Sequence, residues 1–147
     1  MGYALFAQRK IELTGELNMV SLQQTQRSNE QYCLATKKLS LNQQLSSMQS
    51  AQSLELSDLY EALSEETDSA KRASINDVIS AKQSGFDAEL AKINLQIYHV
   101  GIKENCIEME VKRLDTEVTA LQKQLEAVEQ AESSAIDRAT PKYKGVG

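Results

Sequence analysis

The chain has 147 residues, a formal net charge of −5, no Trp, one Pro and seven aromatic residues in all. A globule of this length would bury more large apolar side chains; helices that each bury one stripe suit this composition. Acids and bases are interspersed, with five Lys/Arg against six Asp/Glu over 1–63 and eight against nine over 90–147. That balance lacks the basic face a nucleic-acid binder needs.

The opening, MGYALFAQRKIELTGELN, places Tyr3, Leu5 and Phe6 ahead of an amphipathic run. Gln8, Arg9 and Lys10 interrupt it too early for the apolar region of a secretory signal. Phe6 stands where myristoylation calls for Ser or Thr. No run of roughly 20 apolar residues occurs, so no membrane span is expected. The remaining readings are a surface helix end or a surface made for another protein.

From there Leu13, Leu17 and Val20 begin a seam that Leu34, Leu41, Leu45 and Met48 continue. In between, the register passes through Gln24, Arg27 and Gln31, polar residues that weaken a helix pair but can fix its alignment. After Met48 come Gln52, Leu56, Leu59 and Leu63, an extra four-residue step that relaxes left-handed supercoiling. The segment SEETDSAKRAS, 64–74, has no large apolar residue and reads as a turn over about 65–73. Ser74 with Asp77 suggests a capping box restarting the helix, and Gly85 offers a second restart.

The second half carries the stronger pattern. Leu90, Ile93, Ile97, Val100, Ile107, Val111, Leu114, Val118, Leu121, Leu125 and Val128 alternate in steps of three and four, with charges outside the seam. This predicts a coiled coil. Phe86 and Ile79 extend it backwards through a polar Gln83. The one break is Glu104, an acid at a core position that must be hydrated or paired. Lys37 and Lys38 stand near its height on the opposing arm, so these three residues are the candidate register determinants. Pro141 should end the helix near 138. The basic tail RATPKYKGVG suits the negative end of a helix dipole.

The fold expected is all-α: a single elongated unit over 1–147, folded as an antiparallel hairpin with arms at about 3–64 and 74–138. Each arm would be roughly 90 Å long. One continuous bent helix is the alternative. In the hairpin Leu17 meets Leu121, Leu45 meets Ile93, and Cys33 falls opposite Cys106. That pair is a candidate disulfide, or else two half-buried small side chains. Neither cysteine has the spacing of a zinc or thioredoxin-like motif.

Chemistry-bearing patterns are missing. His99 is the lone histidine and has no metal-ligating neighbours in sequence. Glu65-Glu66 and Glu108/Glu110 read as solvated helix charge, and no phosphate loop, G-x-S-x-G or H-E-x-x-H occurs. No catalytic residue, cofactor, metal or small-molecule substrate is expected.

Met1-Gly2, Gln8-Arg9, Leu13-Thr14 and the later Leu34-Ala35-Thr36 resemble the opening of a group of short helical proteins of gut-associated bacteria. The resemblance covers about the first third of the chain and implies no site. In layout the chain is similar to flagellin-type and type III secretion filament subunits, with amphipathic helices at both ends and Gln/Ser/Asn-rich faces. It lacks the N-terminal motif of flagellins. That similarity implies a bacterial filament subunit working outside the cell or at its surface without a cleavable signal.

Off the seams lie Met19, Leu22, Leu39, Leu54, Ile102 and Met109, and at the open end Tyr3, Leu5, Phe6, Ile136 and Tyr143. Such residues suit contact with further copies better than contact with water. The function expected is therefore that of a non-enzymatic structural protein that self-assembles, a filament subunit whose partner is itself. The alternative is a discrete cytoplasmic coiled-coil adaptor, chaperone-like clamp or phage structural component that binds a partner along its seam.

Overall fold

The computed structural model describes the backbone of residues 2–144 and the surroundings of side chains 3–138. The described chain is all helical and forms a helical hairpin: α1 (Gly2–Glu65) and α2 (Ser69–Lys144), joined at 66–68. The reversal rules out one continuous helix. Long helices form because Pro is withheld until 141 and the glycines are few and scattered. Among the described residues no backbone angle is left-handed and no peptide is cis. Gly85 does not restart the helix. A Cβ there would meet open space, so its cost is the ordinary helix penalty of about 1 kcal/mol against Ala.

The turn is three residues long rather than the expected nine, and its chemistry explains the difference. Asp68 caps α2: its Oδ1 accepts the Ala70 N–H at 3.1 Å, and its carbonyl accepts the Arg72 N–H at 2.9 Å, the first helical bond. The Glu66 carboxylate accepts the Thr67 and Asp68 N–H groups at 3.2 and 3.1 Å. Arg72 then reaches back, donating to the Leu63 and Glu66 carbonyls at 2.8 and 2.9 Å. Those oxygens have no partner within α1, and a cation there also meets the negative end of the helix dipole. Ser74 is not a cap. It lies inside α2 and donates to the Ala70 carbonyl at 3.3 Å.

At the other end α2 passes through Pro141 and stops at Lys144, beyond the expected end near 138. A proline this close to the terminus removes a single bond and leaves little helix beyond it to disrupt.

The contacts group the chain into two units, residues 1–31 with 106–147 and residues 32–105. In the first unit the helices run antiparallel: Lys10 pairs with Glu132, Gln24 with Asp115 and Arg27 with Glu110. Its fully buried side chains are Leu13 and Leu114. In the second unit, also antiparallel, Lys38 reaches Glu104, Gln52 reaches Glu89, and Glu55 pairs with Lys82. Leu41, Ile79, Ile93 and Val100 form its core, together with the amide of Gln52, 7% exposed.

Candidate functional site

On α1 the described residues that lose water fall on one ladder, Ser21 apart. Phe6, Lys10, Leu13, Leu17 and Val20 begin it, and Gln24, Arg27, Gln31, Leu34 and Lys38 carry it into the second unit. Leu41, Leu45, Met48, Gln52, Leu56, Leu59 and Leu63 complete it. Steps of three and four alternate up to Met48; Gln52 then separates two steps of four. That extra residue turns an amide inward, where Gln52 Nε2 donates to Glu89 Oε2 at 3.4 Å.

On α2 the seam residues lie on the side facing α1. Ile93, Val100 and Leu114 are buried, and Leu90, Ile97, Ile107, Val111, Val118, Leu121, Leu125 and Val128 are half-buried. Half-burial is what a two-helix contact gives, because water reaches the flanks of a single seam. Gln83 stands outside this stripe, exposed, and donates to the Tyr60 hydroxyl at 3.0 Å.

Polar members of the stripes meet complementary charge. Arg27 lies 3.0 Å from Glu110 and 2.7 Å from Glu30, and the hydrogen bond to Glu30 holds its proton more tightly than usual. Lys10 is raised likewise by its hydrogen bond to Glu132 at 2.9 Å. Glu104 is less well provided for. Its Oε1 is buried without a hydrogen bond, and the nearest cation is Lys38, with Nζ at 3.7 Å. Lys38, not Lys37, is the residue across from it; Lys37 is exposed.

Tyr3 and Leu5 are 51% and 67% exposed, and Phe6 is half-buried beside a shallow groove that Val128 also lines. Ile136 is 42% exposed. The side chain of Tyr143 lies outside the described residues. Cys33 and Cys106 are free thiols, both exposed, so the candidate disulfide is not formed and the half-buried alternative fails too. Each sits one residue before a seam position, which turns it off the buried stripe. His99 is exposed and its ring lies 6.0 Å from that of Tyr98.

No group of side chains able to hold a metal ion occurs among the described residues. Nor is any described helix long and apolar enough to cross a membrane. An open groove on the surface of α1 is lined by Ser46, Ser50, Ser53 and Ser57. What the molecule presents is extended helix surface bearing large apolar side chains: Met19, Leu22, Leu39, Leu54, Ile102 and Met109 are each 42–71% exposed. Tyr32, Leu95 and Tyr98 join them at 74%, 54% and 64%. The off-seam residues named from the sequence do not include these three, nor Ile11, Tyr60 and Val78, which are exposed as well. No family model, no curated protein and no solved structure matches the chain.

Proposed function

We propose that this chain is a non-enzymatic structural protein whose helices associate as coiled coils, first within the hairpin and then between copies, to build a filament. The observation that carries the reading is the imbalance between core and surface. A compact monomer of 16.3 kDa would expose about 7,500 Å². This chain exposes 10637 Å² and buries only six hydrophobic side chains among the described residues. The excess, about 3,000 Å², falls in the range that permanent assemblies bury. Large apolar side chains on that surface supply the driving force, at about 25 cal/mol per Å² removed from water.

The protein's partner is thus itself. Its layout, similar to that of secretion-linked filament subunits, suggests a bacterial assembly outside the cell or at its surface, with the cytoplasm as the alternative that fractionation would detect. Electron microscopy of the purified chain across a concentration series tests the reading. Regular filaments that lengthen with concentration are expected. Single hairpins at every concentration would overturn it and turn the search towards a different protein bound along the seam.

A further inference from the structure

The second unit carries a second ladder on each helix, turned away from the buried stripe on α2 and, on α1, as far as Ser50; beyond the extra step at Gln52 it comes round beside the inner contact, where the Tyr60 hydroxyl accepts from Gln83. On α1 it runs from Tyr32 to Tyr60 in alternating steps of four and three, nine positions with Leu39, Ser46, Ser50 and Ser53 among them. On α2 it runs from Ala81 to Ile102 with the same spacing, seven positions including Ala88, Ala91, Leu95 and Tyr98. All sixteen side chains are exposed and none is charged. The two stretches contain eight Lys, Arg, Asp and Glu, and every one lies off these ladders. Four of the eight flank the inner contact, in the pairing of Lys82 with Glu55, the approach of Lys38 to Glu104 across it, and the hydrogen bond from Gln52 to Glu89.

This reverses the usual layout. A helix pair that ends its assembly at two helices places its charge on the outer positions, where water solvates it. Here the outer positions are kept clear at heptad spacing, which is the pattern of a helix that packs on two sides. In the first unit α1 continues the spacing from Ala4 through Ile11 and Leu22 to Asn29, again without a charge.

The two ladders also fit each other. In antiparallel alignment Leu39 meets Ile102, Gln43 meets Tyr98, Ser46 meets Leu95 and Ser50 meets Ala91. Leu39 with Ile102 and Gln43 with Tyr98 bring large side chains together, Leu95 falls on a small one, and small meets small at Ser50, in the shallow serine-lined groove on α1. This is nearly the register that the inner stripes already hold, where Gln52 reaches Glu89 and Lys38 reaches Glu104. One spacing rule thus serves both contacts.

We infer that the outer ladder of α2 in one copy, Ala91 to Ile102, docks on the outer ladder of α1 in a second copy, Tyr32 to Ser50. This deepens the self-assembly reading and rests on it. The excess of about 3,000 Å² per copy is enough for two such contacts. The contact is heterologous, since each copy offers a different face on each side, so it propagates along a row of hairpins unless its rotation closes a ring.

Cross-linking in full-length protein tests the inference. With Cys33→Ala and Cys106→Ala as background, Ser50→Cys and Ala91→Cys are combined in one chain. Both positions face away from the inner contact, so mild oxidation cannot join them within a hairpin and must join copies. A non-reducing gel should show a ladder of dimers, trimers and longer products. A mismatched pair, Ser50→Cys with Ala81→Cys, should give about tenfold less, because a disulfide needs Cα atoms within about 7 Å. Circular dichroism checks that each variant keeps its helix content, and sedimentation follows assembly before oxidation. Assembly with no ladder, or with equal ladders from both pairs, would overturn this interface and leave self-assembly standing. Failure of the unmodified chain to assemble at any concentration would overturn both.

Discussion

Leu114 shows how little of this chain is core in the ordinary sense. It is wholly buried, and among the described residues of the first unit only Leu13 matches it. Leu114→Ala should cost about 3 kcal/mol in urea unfolding, the transfer and cavity terms together. Glu104 is the opposite case, a carboxylate in an otherwise aliphatic run with one oxygen buried and no hydrogen bond. A cation 3.7 Å away compensates weakly, since its side chain is 44% exposed. Glu104→Leu should therefore raise stability by about 1 kcal/mol in the same measurement, as replacement of poorly paired buried charge commonly does. It should also broaden the distribution of assembly states seen by sedimentation, if the acid is kept to fix register. Lys10 supplies a pH signature. Its bond to Glu132 raises the ammonium above its ordinary 10.5, so its contribution is complete below that value and disappears as pH rises through the higher folded value. Thermal unfolding of the wild type should accordingly lose this increment above about pH 10.5, while Lys10→Met shows no such loss.

At the scale of the elements, the turn is where local chemistry overrode pattern. Ser74 and Asp77 have the spacing of a capping box, yet the helix begins five residues earlier at Ser69. Asp68 needs no Glu partner to cap, because its carboxylate alone takes the Ala70 N–H. Asp68→Ala should cost about 1 kcal/mol, read as a fall in the urea midpoint at unchanged slope. The long-range half of the turn is Arg72, whose guanidinium closes the carbonyl end of α1. No spacing rule marks that role in advance, because it depends on where the reversed chain brings the side chain. The extra residue around Gln52, by contrast, was legible as two successive four-residue steps, and those are the steps along which the side chains are buried.

For the molecule as a whole, surface is the governing quantity. A chain that leaves 10637 Å² in water has surface to lose, and on the self-assembly proposal each contact with another copy would stabilise it. Its melting temperature should therefore rise with protein concentration, by mass action on the assembled state, and a concentration-independent value would argue for a self-sufficient hairpin.

The sequence by itself determined that the chain is helical, that each helix buries one stripe, and which aliphatic residues lie on it, though not that Gln83 stands off the stripe or that Lys10 and Lys38 stand on it. The reason is that steps of three and four return to one side of a helix, and aliphatic residues such as Ile93 and Val100 declare that side wherever they repeat. Only the tertiary structure decided where the reversal falls, which lysine faces Glu104, and that Cys33 and Cys106 stand exposed and unbonded. Those outcomes depend on the rotation and alignment of one helix against another, and side chains distant in sequence encode that only through their fit.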